Sequence, residues 1–489
     1  MYKILILSLV TSLSVLAQPA PKPYGVLPSE RQLRWHETEQ YCLIHFTPTT
    51  FEDKEWGYGD AKPASFNPTQ FDAEQIVKAA KAGGLRGLIL VAKHHDGFCL
   101  WPTKTTDYNI SKSPFRDGKG DVVREFEQAC RENGLKFGVY CSPWDRNSPY
   151  YGTAEYVKRY RQQLTELYTQ YGPLFMSWHD GANGGDGYYG GAKEARKIDR
   201  LTYYGWDSTW THLTRKLQPT ACIFSDVGWD VRWVGNEKGF AAETSWATFT
   251  PRSPDRSTKG SPGYANDQDS PEGTRNGEAW IPAECDVPLR PGWFYHPAQD
   301  TKVRTPQELF DLYFKSVGRG ACLDLGLAPD TRGLLHENDV ASLKAFGELV
   351  SKTFARNLAK TAKLSPSNIR GNNKALYGVQ RLMDTDRYSY WATDDSNTTP
   401  EVVVSWTSPQ TFDVVRLREN IKLGQRIEGF ALDIWENNAW KEVHQGTSIG
   451  SLRLVRLSEA VSTTQVRLRI TKSPVCIALS ELGVYKASL

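Results

Sequence analysis

Between residues 40 and 327, short apolar runs alternate with longer stretches of helical period. The runs Gln40 to Phe46, Gly87 to Ala92, Lys136 to Cys141, Pro173 to Trp178, Ala221 to Ser225, Ala242 to Trp246, Ala279 to Cys285 and Ala321 to Leu327 read as strands. Ala73 to Ala82, Val122 to Asn133 and Ala154 to Tyr171 read as helices. In the last of these, Tyr156, Tyr160, Leu164, Leu167 and Tyr171 recur at steps of three and four and mark one face. Gly83-Gly84 and Gly134 stop two of the helices. Repeated strand–helix units imply a parallel sheet, and eight candidate strands predict a (β/α)8-like barrel with long loops. Ala242 to Pro282 shows no clear helix, so the barrel is expected to be irregular there or to lack one helix.

The texture changes near Lys363. Ser365-Pro366-Ser367-Asn368 and Arg370-Gly371-Asn372-Asn373 read as linker and turn. The short runs Val402 to Trp406, Phe412 to Leu417, Gly429 to Trp435, Leu452 to Leu457, Gln465 to Ile470 and Val475 to Leu479 then predict a C-terminal all-β sandwich. The chain thus divides into an N-terminal segment at 1–17, a (β/α)8-like barrel at 18–356 and a sandwich at 357–489. The N-terminal segment has a charged start (Met1, Lys3), an apolar run from Ile4 to Leu16 and small residues before Gln18. It reads as a signal peptide, with export to a bacterial periplasm or the extracellular space. The apolar run is too short to span a membrane.

Composition narrows the choice further. Lys plus Arg is 59 and Asp plus Glu is 56, a net charge of +3 over 489 residues. That balance argues against a nucleic-acid partner, which requires a basic stripe. The eight cysteines are scattered and form no C-x-x-C pair, so they resemble neither a metal framework nor a dense disulfide scaffold, though an occasional disulfide stays open. Aromatic residues are abundant, with 16 Trp, 23 Tyr and 19 Phe. Such rings suit the apolar faces of sugars when exposed, although most are expected in the core.

In a barrel of this type the active site lies at the carboxyl ends of the strands. The residues just past the proposed strands are His45-Phe46-Thr47, Lys93-His94-His95-Asp96, Pro143-Trp144-Asp145, His179-Asp180-Gly181 and Asp226, with Glu237 in the loop beyond. The seventh candidate carries Trp280 and Glu284. Carboxylates with imidazole and indole partners fit glycoside hydrolysis, which needs one carboxylate as nucleophile or base and another as proton donor. A metal hydrolase is the competing reading, since His94-His95-Asp96 offers ligands, but neither H-E-x-x-H nor H-x-H on the first strand is present. Gly185 to Gly190 matches G-x-G-x-x-G without opening a dinucleotide-binding helix, and reads as a mobile loop at the active site.

The ordered series His45-Phe46-Thr47, Glu55-Trp56-Gly57, His94-His95-Asp96-Gly97-Phe98, Gly138-Val139-Tyr140 with Ser142-Pro143-Trp144, Trp178-His179-Asp180-Gly181 and Ser316-Val317-Gly318-Arg319-Gly320 resembles the α-L-fucosidases of glycoside hydrolase family 29. The resemblance covers the barrel. Asp230 to Glu237 is similar to the subgroup that cleaves α-1,3- and α-1,4-linked fucose from branched, Lewis-type glycans. The tail resembles a discoidin-like, galactose-binding-like sandwich.

The resemblance implies a retaining, exo-acting enzyme without cofactor or metal, acting on fucosylated oligosaccharides or glycoconjugates. It assigns Asp180 as nucleophile and Glu237 as acid/base, with Glu243, Glu284, Asp226 and Asp230 as rivals for the second role. Retention implies carboxyl groups about 5–5.5 Å apart. His45, His94, His95, Glu55, Trp56, Tyr140 and Trp280 are the expected substrate-binding residues. For each histidine the alternative is a satisfied structural imidazole, and for Trp280 it is core packing. Two positions depart from relatives: His179 stands where Phe is common, and Cys322-Leu323-Asp324-Leu325 stands where Leu-Leu-Leu-Asn is usual. A broad-specificity or α-1,2-acting fucosidase, and a carbohydrate-binding protein with a retired site, are the alternative functions.

Overall fold

A computed structural model describes residues 18–199, 207–260, 265–384 and 386–488. The signal-peptide reading at 1–17 falls outside the described residues. Eight parallel strands close a barrel: β1 (Gln40–Ile44), β2 (Gly87–Lys93), β3 (Lys136–Cys141), β4 (Met176–Trp178), β5 (Cys222–Ser225), β6 (Val231–Trp233), β7 (Ala283–Pro288) and β8 (Cys322–Leu327). Side-chain alternation sorts each strand between two cores. Tyr41, Leu43, Ile89, Val91, Tyr140 and Trp178 fill the barrel interior. Cys42, Ile44, Leu88, Leu90 and Val139 pack outward against the helices.

The helices follow from capping chemistry as well as period. Asp72 accepts hydrogen bonds from the backbone N–H groups of Glu74 and Gln75 at the start of Ala73–Ala82. Asp121 caps Val122–Asn133, which ends at Gly134 with φ of 73°. Thr305 and Glu308 form a capping box at Pro306–Lys315. The long helix Glu337–Phe354 closes the barrel segment.

The sixth strand corrects the sequence reading. Ala242 to Trp246 is no barrel strand; β6 is Val231–Trp233. The stretch instead runs along the C-terminal unit and hydrogen-bonds it: Ser245 N–H donates to Ser448 Oγ, and the adjoining Ala247 N–H to Gln425 Oε1. Residues 226–230 alone join β5 to β6, which works because the two strands are so short. Among the described residues no helix occupies 234–282, as the absent helical period indicated. That excursion carries a small antiparallel ribbon, Thr248–Phe249 with Ala279–Trp280, so the seventh apolar run splits between ribbon and barrel.

The C-terminal unit is an antiparallel sheet with a core of its own. Two long strands, Glu401–Glu419 and Arg453–Lys472, pair along their length and are interrupted by irregularities between Ser405 and Gln410 and between Phe412 and Val414. Interruptions of this kind bend a strand, and residues on both sides of them, Val402 and Val404 as well as Val415 and Leu417, join one core; each strand was legible in the sequence as two separate runs. The unit docks on the barrel floor through Glu39, whose Oε1 accepts from Arg387 at 3.0 Å and Arg418 at 2.8 Å. All eight cysteines are free and buried.

Candidate active site

Alternation along β4 turns Trp178 and Asp180 into the barrel, and Ser177 and His179 outward. Asp180 Oδ2 accepts a hydrogen bond from the Tyr140 hydroxyl at 3.0 Å, and Oδ1 accepts one from Ala182 N–H at 2.7 Å. Both oxygens are therefore fixed in direction. His95 Nε2 lies 3.8 Å from Oδ2. Gly181 follows because Asp226 lies against it: a Cβ there would meet the Asp226 carboxylate oxygens at 2.0 Å. The outward His179 hydrogen-bonds Tyr160 and Ser177, both at 2.9 Å, and stacks on Trp210. It holds the outer layer and does not touch the cavity.

His45 follows β1 directly, and His94 and His95 follow β2, so three imidazoles crowd one side of the rim. The His94 ring centroid lies 4.1 Å from that of His95 and 5.3 Å from that of His45. Burial, reinforced by His95, pushes the His45 pKa down to about 3. Burial likewise drives His94 well below the usual range and lowers His95, the latter against the pull of Asp180. The three rings are neutral at pH 7, and a neutral imidazole has one donor and one acceptor, which suits hydroxyl partners. His95 Nδ1 is engaged by Ser142 Oγ at 2.7 Å, whereas Nδ1 of His45 and of His94 has no hydrogen-bond partner among the described residues. Trp56, 52 % exposed, stands edge-on to His95 and Trp144.

The other side of the rim comes from β6 and β7. Glu237 lies four residues past β6, and Trp293 Nε1 donates to its Oε1 at 3.3 Å. Burial raises the Glu237 pKa, Asp180 and Glu55 add to the rise, and the Trp293 indole opposes it. Asp286, on β7, accepts from Trp233 Nε1 at 2.7 Å. A cavity of about 110 Å³ joins these groups, lined by Asp180, Glu237 and Asp286 with His45, His94, His95, Tyr140, Trp56, Trp178 and Trp293. It is smaller than the roughly 300–1,000 Å³ typical of drug-sized ligands, and fits a single small ring.

Two expected binding residues lie elsewhere. Glu55 stands behind the wall, where it accepts hydrogen bonds from the backbone N–H groups of Trp293 at 2.5 Å and Phe294 at 3.3 Å, and pairs with His296 at 3.1 Å. Trp280 is a correction: it is 3 % exposed, donates to His36 Nε2 at 3.1 Å and packs with Leu33 and Ile421. It sits on the antiparallel ribbon, outside the barrel, so no face reaches the cavity.

Three of the four rivals for the second carboxyl are engaged elsewhere, and the fourth, Asp226, lies against Gly181. Glu243 pairs with Arg319 and Arg453, and Asp230 with Arg31 and Arg215. Glu284 is bonded by Tyr41 and Trp178 inside the barrel. Arg232 donates to backbone carbonyls of Ser270, Ile281 and Trp246, away from Asp180. The glycine-rich stretch forms a ribbon, Gly184–Gly187 with Glu194–Lys197, held by Arg146 on Asp186.

Trp293 and Asp286 escaped the sequence reading because β7 extends to Pro288, beyond the expected end at Cys285. With that boundary, Asp286 falls on the inward face two residues after Glu284, and Trp293 falls in the loop past the strand. Among the described residues no group of three or more His, Cys, Asp or Glu is arranged to hold a metal ion.

The family model "Alpha-L-fucosidase" matches residues 22–353. Alpha-L-fucosidase 1 of Arabidopsis thaliana is 39 % identical over 487 residues, spanning 99 % of this chain and 92 % of the relative. A crystal structure of a glycoside hydrolase 29 family member from an unknown rumen bacterium is 39 % identical, with a TM-score of 0.84 over 96 % of this chain and 78 % of the other. A Ruminococcus gnavus family 29 fucosidase in complex with fucose is 30 % identical, with a TM-score of 0.84 over 97 % of this chain and 98 % of the other. A catalytic-face cavity walled by carboxyl, imidazole and indole groups, and similarity along almost the whole length, place the chain in the α-L-fucosidase family, glycoside hydrolase family 29.

Proposed function

We propose that the chain is a retaining, exo-acting α-L-fucosidase that releases terminal α-1,3/1,4-linked L-fucose from branched glycans by double displacement. One observation carries the reading: Asp180 and Glu237 line one small cavity in different settings. Asp180 is oriented by Tyr140 and Ala182, while Glu237 is pushed toward its protonated form by burial and by Asp180. This is the division of labour that the reaction needs.

In the first step an Asp180 oxygen bonds to C1 of fucose as the C1–O bond to the leaving sugar breaks. The Glu237 proton passes to the departing oxygen. In the second step Glu237, now a carboxylate, takes a proton from water; the water oxygen bonds to C1 and the ester to Asp180 breaks. The neutral histidines and Tyr140 supply hydrogen bonds to ring hydroxyls, and the small cavity supports removal of one terminal residue at a time.

Proton NMR of the first product formed from an aryl α-L-fucoside tests the mechanism. Retention releases α-L-fucose first; β-L-fucose first would overturn it. The stretch Asp230 to Glu237 supports the linkage preference. A panel of α-1,2-fucosyl oligosaccharide and Lewis-type trisaccharides checks it, with the branched substrates cut best; equal rates on both kinds would refute the preference. The charged and apolar pattern of residues 1–17 supports export, and N-terminal sequencing of protein from the periplasm or medium should find Gln18 at or near the start.

A further inference from the structure

Inside the barrel, below the cavity, three carboxyl groups meet where β7 and β8 pair. Glu284 and Asp286 face inward from β7, and Asp324 lies in direct register with Asp286 on β8. All three are buried, Asp286 at 5 % exposure and the others at 0 %. Among the described residues, no lysine or arginine lines the cavity above them.

Their hydrogen bonds are unequal. Glu284 has a donor on each oxygen, the Trp178 indole and the Tyr41 hydroxyl. Asp324 has none on either oxygen among the described residues. Asp286 has one, from Trp233 Nε1 to Oδ1. A buried carboxylate without donors is strongly disfavoured, and so are neighbouring like charges. Glu284 is therefore the first of the three to ionise, with burial raising its pKa to about 7 against its two donors, and Asp286 and Asp324 keep their protons. Burial first, then Glu284 and Glu237, push Asp286 the same way, well above the usual carboxylate range. Asp286 then carries an O–H group on the wall shared with Asp180 and Glu237. β7 lies across the barrel from β3, so this donor approaches a bound sugar from the side opposite Tyr140.

We propose that Asp286 is a sugar-binding residue whose carboxyl group donates a hydrogen bond to a ring hydroxyl of fucose. The inference rests on reading the cavity as the fucose site, and binding rather than turnover tests it. Calorimetry would compare L-fucose with its 2-, 3- and 4-deoxy derivatives on the wild type, Asp286→Ala and Asp286→Asn. Asp286→Ala should weaken L-fucose binding about tenfold. Asp286→Asn keeps an acceptor for Trp233 and supplies an N–H donor, so it should stay within about threefold. One deoxy sugar should lose affinity on the wild type yet lose nothing further on Asp286→Ala. Equal further losses for fucose and all three deoxy sugars would make Asp286 merely a support for Trp233, and overturn the inference. Failure of the wild type to bind L-fucose would overturn it too. Should Asp286→Ala not fold, Asp286→Leu, close in volume and without a donor, reads the same cycle. Turnover of an aryl α-L-fucoside by the wild type separately tests the activity.

Discussion

The Tyr140 hydroxyl donates to Asp180 Oδ2 at 3.0 Å while the Tyr140 ring stacks on Trp178 at 4.9 Å between centroids. The ring is thus positioned by packing, and the hydroxyl positions the carboxylate. Tyr140→Phe removes only the second role. A hydrogen bond to a charged group contributes roughly 1.5–3 kcal/mol, so kcat/KM on an aryl α-L-fucoside should fall about 10- to 100-fold with the melting temperature little changed. An unaltered kcat/KM would show that the hydroxyl does not position Asp180 for attack.

Trp293 touches the other carboxyl. Its indole N–H bonds Glu237 and favours the charged form, against burial and Asp180, which favour the neutral one. Trp293→Phe keeps an aromatic ring but deletes the donor, so the Glu237 pKa should rise. The basic limb of the kcat/KM–pH profile reports loss of the acid's proton in the free enzyme. That limb should move to higher pH in the variant. Movement to lower pH would separate the limb from Glu237.

How much of this was legible beforehand depended on whether local pattern or distant contact decided the matter. Asp180, Tyr140 and the three histidines sit at the ends of strands with clear apolar runs, so placing the strands placed the residues. Val231–Trp233 has only three residues and a polar middle, Arg232, whose guanidinium finds backbone carbonyls in a distant excursion. No local pattern announces such a strand. Trp280 misled because an indole next to a true barrel strand looks the same in sequence whether it faces sugar or core. Its partners, His36, Leu33 and Ile421, are far away along the chain. Glu55 shows the same limit: sequence similarity marked it as a site residue, but its hold on the backbone of Trp293 is visible only in three dimensions.

The union of barrel and C-terminal unit should be acid-sensitive. Burial pushes the Glu39 carboxyl up, but Arg418, Arg387 and Arg86 more than offset it and hold the group well below the usual carboxylate range. A depressed folded-state pKa contributes stability that is fully present above the unfolded value of about 4.3 and is lost as pH falls toward the folded one. Glu39→Gln removes one of the two carboxylates that pair with the buried Arg418, which keeps Glu481 at 2.7 Å, and should cost about 1.5–3 kcal/mol at pH 7. Urea midpoints at pH 7 and pH 3 check the sign. The gap between wild type and variant should narrow at pH 3; a gap that widens would contradict the assignment.

Glu55 and Gly292 form the last testable pair. The Glu55 carboxylate is held by Trp293 N–H, Phe294 N–H and His296, so it cannot swing aside freely. A Cβ on residue 292 would come within 2.5 Å of Glu55 Oε2. Gly292→Ala must therefore displace either the carboxylate or the loop that carries Trp293. Either shift moves the indole relative to Glu237, and misplacement by about 1 Å near reacting groups can cost about 100-fold. We expect kcat on a natural fucosylated glycan, which depends on proton donation to a poor leaving group, to drop more than kcat on an activated aryl fucoside. Glu55→Gln retains one acceptor for the loop, so its loss should be smaller than that of Glu55→Ala. Equal kcat losses on both substrates would mean that the loop acts on the sugar itself and not through Glu237.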